Sequence, residues 1–243
     1  VVYLDKTLKE VRYTKRVEGV WTTPLTIDDS VNLTVGAVSL AVTPAGVPHI
    51  AYFASSQNTV ANLHYVTLVA GEVVHEFADP GTSVGESASI RVDAQGRPHV
   101  AYYDQTLSAL KYAVRRDDEW QREHVTPLNS LAGYSCSLAL DAQGRPVIAY
   151  FGANGNLLRI ARHDGVDWSG ETAAINSPVQ SNGTSVAVDP SGAIHVSYYV
   201  GGGNDLYYAS NVSGSWIADL VDAGGATGVY SSVVLGPGGT IFI

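Results

Sequence analysis

The chain has 243 residues, 45% of them hydrophobic and 15% charged, with 25 Gly. That balance excludes a disordered tail and a coiled coil, and no run approaches the ~18 consecutive apolar residues a membrane helix needs. A net charge of −9, from 14 Lys+Arg against 23 Asp+Glu, argues against nucleic acid and anionic lipid surfaces as partners.

The charge is uneven. Lys6, Lys9, Arg12, Lys15 and Arg16 crowd the start of the chain, and no Lys or Arg follows Arg162. The acids Asp164, Asp167, Glu171, Asp189, Asp205, Asp219 and Asp222 do follow it, which reads as a soluble acidic surface. The single cysteine, Cys136, allows no internal disulfide and no zinc site of several thiolates. With no basic neighbour it is expected to be a small buried thiol. The chain holds no Met, so processed, trimmed or excised ends are expected.

A repeat organises the sequence. Ser89–Tyr103 reads Ser-Ile-Arg-Val-Asp-Ala-Gln-Gly-Arg-Pro-His-Val-Ala-Tyr-Tyr. Ser137–Phe151 reads Ser-Leu-Ala-Leu-Asp-Ala-Gln-Gly-Arg-Pro-Val-Ile-Ala-Tyr-Phe. Taken in chain order, a serine opens each unit at Ser39, Ser89, Ser137, Ser185 and Ser232. A glycine follows at Gly46, Gly96, Gly144, Gly192 and Gly239, in steps of 50, 48, 48 and 47. Tyr3, Tyr52, Tyr102, Tyr150 and Tyr198 share a third position. A fourth is Tyr13, Tyr65, Tyr112 and Tyr208, with Ile160 as the exception. All four tryptophans, Trp21, Trp120, Trp168 and Trp216, share one slot, and Val73 fills it in the second unit.

Each unit is predicted to make four short strands, near 87–92, 98–103, 109–115 and 119–125 in the best copy, because apolar residues alternate there. Asp-Ala-Gln-Gly makes a tight turn between the first two, and Arg116-Asp117-Asp118 another between the last two. The inner strands fall at 39–42, 89–92, 137–140, 185–188 and 232–235. No segment sustains a helical period. Four strands per unit of this length predict a β-propeller, with the repeated aromatics filling the wedge between neighbouring blades. Val1 and Ile243 both align with Val100. The expectation is therefore one five-bladed domain over 1–243, all-β, closed by pairing of its N- and C-terminal segments so that no sheet edge stays exposed.

The run Asp-x-x-Gly-x-Pro-His-Ile/Val-Ala-Tyr-Tyr/Phe, followed by Leu-Lys-Tyr-Ala and Trp, resembles repeats of bacterial secreted or cell-surface propeller proteins. Blade count and unit length are similar to tachylectin-2-type lectins. The resemblance implies the fold and an exported protein. By analogy of architecture alone it implies sugar binding between blades.

Catalytic residues are not evident. His49, His99 and His195 recur in one slot but in different units, and Val147 and Phe242 also occupy it, so packing or hydrogen bonding is expected rather than metal ligation. Asp93, Asp141 and Asp189 precede the tight turn and are expected to cap it. The inner strands hold no Asp or Glu, against a paired-carboxylate hydrolase. Nothing distinguishes one repeated serine from another as a nucleophile. Gly201-Gly202-Gly203 lacks the features of a phosphate cradle. No cofactor and no metal site is read from the sequence.

What remains is a face of polar loops. Asp28, Asp29, Asn58, Glu86, Asp104, Tyr134, Asn154, Asn182, Asn204 and Tyr230 are its candidate binding residues. Amides, carboxylates and interspersed Tyr suit neutral polyols. The expected function is non-enzymatic recognition of a glycan or a protein surface. Two alternatives stay open: a hydrolase or lyase at the channel mouth, and an excised or engineered scaffold without retained activity.

Overall fold

A computed structural model describes residues 1–29, 34–55, 61–152, 156–175, 183–225 and 227–243. Among them the only helical segment is a 3-10 turn at Pro237–Gly239. The chain divides into two compact units, one of 1–106 with 113–122 and one of 107–112 with 123–243.

The first strands are β1 (Val2–Asp5), β2 (Glu10–Tyr13), β3 (Arg16–Val17), β4 (Val20–Trp21) and β5 (Leu25–Asp28). They form a three-stranded sheet, β1-β2-β5, and a short β3-β4 ribbon. Four four-stranded sheets follow, each in simple chain order. They are β6 (Thr34–Val42), β7 (Pro48–Ser55), β8 (Asn62–Val69) and β9 (Glu72–Asp79); then β10 (Val84–Val92), β11 (Pro98–Asp104), β12 (Ala109–Arg116) and β13 (Glu119–His124). Next come β14 (Tyr134–Leu140), β15 (Pro146–Gly152), β16 (Leu157–His163) and β17 (Trp168–Ile175), then β18 (Thr184–Val188), β19 (Ile194–Val200), β20 (Asp205–Ser210) and β21 (Ile217–Asp222). The last pair is β22 (Val234–Leu235) with β23 (Ile241–Phe242).

The four strands expected near 87–125 are β10 to β13. β10 begins earlier, at Val84, because its register shifts between Val84 and Glu86 and again between Glu86 and Ser89. This bulge breaks the alternation from which a strand is read. Gly85 sits in it at φ +111, and a Cβ there would lie 2.9 Å from the Leu63 backbone. The expected sheet shared by the two chain ends is not found: among the described residues β1 belongs to the three-stranded sheet and β22 pairs only with β23.

The repeated residues have visible duties. Gly46, Gly96, Gly144 and Gly192 all take positive φ, from 75 to 88°, the conformation glycine adopts without steric cost. Asp93 Oδ1 accepts the backbone N–H groups of Gln95 and Arg97 at 3.0 and 2.9 Å. Asp141 and Asp189 do the same one and two units later, so these acids cap the turn. The repeated histidines hydrogen-bond: His49 Nδ1 with the Tyr65 hydroxyl at 2.7 Å, His195 Nδ1 with the Tyr208 hydroxyl at 2.6 Å, and His99 Nε2 with Asp93 at 3.1 Å.

The repeated serine joins one inner strand to the next. Ser39 Oγ accepts the N–H of Ile90, Ser137 Oγ that of Val186, and Ser185 Oγ that of Val233. The apolar cores lie between successive sheets. Ile27 of β5 packs with Ile50, Tyr52 and Val66; Leu63 and Tyr65 pack with Ile90, Val100 and Tyr102; Phe151, Leu158 and Ile160 pack with Val186, Val196 and Tyr198. Trp120 meets Tyr65 edge-on at 5.0 Å, and Trp168 meets Tyr112 at 5.3 Å, as expected of wedge residues. Trp21 departs from this and is 55% exposed.

Two measurements follow from this architecture. Ser137→Ala leaves the buried Val186 N–H unpaired, which costs about 1–3 kcal/mol; urea unfolding should show that loss, while exposed Ser213→Ala should show none. Equal midpoints for the two variants would sink the role of the serine. Burial also pushes His49 and His99 below the ordinary 6.5. Below that pH the unfolded chain takes up protons that the folded chain refuses. Stability should therefore be complete above pH ~6.5 and fall on acidification. His99→Asn should make that decline shallower; an unchanged slope would count against it.

Candidate functional site

The outer strand of several sheets carries a bulge at the same register. It lies just after the pairs Val11↔Asp28, Leu63↔Asp79 and Leu158↔Ala174. Asp28, Asp79 and Ala174 are thus equivalent, and each lies at or next to the end of an outer strand. The slot is filled differently each time.

At Asp79, the buried Tyr102 hydroxyl donates to Oδ2 at 2.7 Å. Arg122 stands 3.9 Å from Oδ1 and donates to the Ala78 carbonyl at 2.7 Å. At Asp28, the Tyr52 hydroxyl donates to Oδ2 at 2.6 Å. Burial and the adjacent carboxylate push both tyrosine hydroxyls far up. Here the basic neighbours are imidazoles. His64 Nδ1 lies 3.9 Å from Asp28 Oδ2 and 2.9 Å from His75 Nε2. The His64 ring stacks on Tyr52 at 4.9 Å. Burial drives His64 down to about 4 and also lowers His75, so both rings are neutral at pH 7.

At Ala174 there is no carboxylate, and the slot is open. It becomes a cleft of about 680 Å³ lined by Tyr198, Tyr207, Trp216, Asp205, Gly203 and the small residues Ala173, Ala174 and Ala218. Two further departures from the repeat help to open it. Ile160 stands where other units have Tyr, so Trp216 packs against an aliphatic group. The second concerns the indole N–H. Trp120 Nε1 donates to Glu76 at 2.9 Å and Trp168 Nε1 to Glu123 at 2.7 Å. The equivalent acid for Trp216 is Glu171, but Arg162 takes its Oε1 through two bonds of 3.0 and 2.7 Å. Trp216 Nε1 is left buried with no partner among the described residues.

The cleft therefore presents aromatic faces and a carboxylate, and one of its lining residues, Trp216, holds a buried, unpaired indole N–H. Tyr198 and Tyr207 stack at 5.7 Å and 26°. A Cβ at Gly203 would meet the Asp205 carboxylate, which would have to shift. A ligand with an apolar face and several hydroxyls matches this set. A smaller cleft of about 320 Å³ lies at the tight turns, among Asp141, Arg145, Arg162 and Ser191. Its charges are already spent, Arg145 on Asp141 at 2.7 Å and Arg162 on Glu171.

The residues expected at the polar loop face are scattered in role. Asp28 and Asp104 are buried, the latter 2% exposed. Asp29 is exposed. Glu86 accepts from Gln105 at 2.7 Å. Asn204, next to the cleft residues Gly203 and Asp205, accepts from the Tyr199 hydroxyl at 2.6 Å. Tyr134 is 39% and Tyr230 94% exposed. Asn58, Asn154 and Asn182 lie outside the described residues. The sequence reads Tyr198 and Trp216 as packing residues and does not single out Tyr207, His64 or His75. The signal that marks the cleft was present as Ile160, the one break in the aromatic column.

No protein-family model and no curated protein matches the chain. Solved structures do. The fucose-specific lectin from Aleuria aurantia matches with a TM-score of 0.60 at 16% identity, over 99% of this chain and 84% of that one. AofleA from Arthrobotrys oligospora matches with a TM-score of 0.67 at 11% identity, over 96% and 71%. A polysaccharide lyase of family 25, an ulvan lyase bound to -[GlcA(1-4)Rha3S]-, matches with a TM-score of 0.66 at 10% identity, over 90% and 67%. At these identities the likeness is one of fold. The all-β chain of four-stranded antiparallel sheets is consistent with β-propellers of this kind.

Proposed function

We propose that the protein is a carbohydrate-binding β-propeller that takes a neutral sugar in the cleft of Tyr198, Tyr207 and Trp216. The observation that carries this reading is the buried, unpartnered Trp216 Nε1 beside stacked tyrosines. Two other interfaces spend the same N–H on a glutamate. A sugar ring supplies what is missing here: C–H faces for the aromatic walls and hydroxyl oxygens to accept from the indole. Asp205 accepts from a further hydroxyl, and such directional bonds select among stereoisomers. Asn204, between the cleft residues Gly203 and Asp205, extends the polar rim. Five blades, supported by the fivefold serine and glycine columns, and an exported or cell-surface setting belong to the same proposal.

Fucose, the sugar named for the Aleuria aurantia lectin, is the first to test, within an array of neutral and acidic glycans. Tyr207→Ala should weaken the best glycan at least tenfold in calorimetry, and Trp216→Phe, which keeps the ring but removes the donor, by a smaller factor. Circular dichroism checks that both variants fold. Full affinity in both would remove the site from this cleft.

A second reading, a polysaccharide hydrolase or lyase, has one observation in its favour: Asp28 and His64 lie within reach of one another. Release of new reducing ends or unsaturated products from a polysaccharide panel would replace the binding reading with this one.

A further inference from the structure

We infer that Asp28, His64 and His75 form a site for a divalent transition-metal ion of the zinc class. The carboxylate of Asp28 and one nitrogen from each imidazole lie within 4.8 Å of one another. A tetrahedral ion with bonds of about 2.0–2.1 Å holds its ligand atoms roughly 3.3 Å apart. The separations of 2.9 Å between His64 Nδ1 and His75 Nε2 and 3.9 Å between His64 Nδ1 and Asp28 Oδ2 bracket that value.

The donors come from three strands rather than from loops: Asp28 from β5, His64 from β8 and His75 from β9. Their orientation is supported from outside. The Tyr52 hydroxyl donates to the Asp28 carboxylate at 2.6 Å. His64 also hydrogen-bonds the backbone of Ala54; a backbone partner on one ring nitrogen is how metal-binding imidazoles are usually held, because it sets the tautomer that bares the other. His75 is exposed, which leaves a fourth position open to water or an incoming oxygen.

Comparison with the equivalent slot adds a charge argument. At Asp79 the guanidinium of Arg122 stands 3.9 Å from the carboxylate. At Asp28 that distance is occupied by an imidazole. A bound cation would supply at Asp28 the positive charge that Arg122 supplies at Asp79. Two nitrogens and one carboxylate select zinc, cobalt or nickel over calcium, which takes six to eight oxygens. The inference is independent of the sugar cleft, whose residues lie in other sheets.

The test uses the whole chain, stripped with chelator and titrated with zinc chloride at neutral pH. One equivalent should bind in calorimetry and raise the thermal midpoint. Cobalt in its place should give the visible d–d bands of a tetrahedral site. His75→Ala, at an exposed position, should weaken zinc binding at least a hundredfold and abolish the bands; Asp28→Asn should weaken it as well. His124→Ala, an ordinary exposed imidazole, should leave it unchanged. Absence of zinc uptake by the parent chain, or equal uptake by His75→Ala, would overturn the site.

Discussion

Three pairs of successive sheets are joined at places where little water reaches. The repeated serine does this on the inner strands, where Ser39, Ser137 and Ser185 accept the N–H of Ile90, Val186 and Val233. A backbone N–H turned toward a neighbouring sheet finds no ladder partner, and burying it unpaired is costly. One hydroxyl per repeat satisfies it. The same constraint explains why five serines in register read as structure and not as nucleophiles.

Farther out, the join is made by a tyrosine hydroxyl on an aspartate, and there the repeat is free to vary. Tyr52 finds Asp28 and Tyr102 finds Asp79, whereas Ala174 stands at the equivalent place beside Tyr198. A buried carboxylate needs hydrogen-bond partners or a counter-charge; Arg122 stands near Asp79, and two neutral imidazoles stand near Asp28. Where the carboxylate is gone, so is the need for a cation, and the space opens between aromatic walls. Function is thus proposed where a stabilising device has been removed or altered. The inner join is kept at Ser39, Ser137 and Ser185.

The comparisons fit this division. Lectin and lyase structures share the sheet arrangement with this chain at 10 to 16% identity, so the arrangement itself carries no chemistry.

By itself the sequence determined the repeat, the four-strand unit, the tight turns and the wedge aromatics, because each depends on residues within one unit of about 48 or on a period of two along a strand. It also held Ile160, the break in the aromatic column. Only the tertiary structure decided that Asp28 and Asp104 are buried rather than displayed, that Glu171 bonds Arg162 while the Trp216 N–H stays unpaired, and that His64 and His75 meet over Asp28. These facts join residues on different strands, and two of them turn on a one-residue bulge that shifts which side chains face the neighbouring sheet. Alternation along a strand is a local quantity. Which atom a side chain meets across the gap between sheets is set by bulge, register and packing together, and none of these is local.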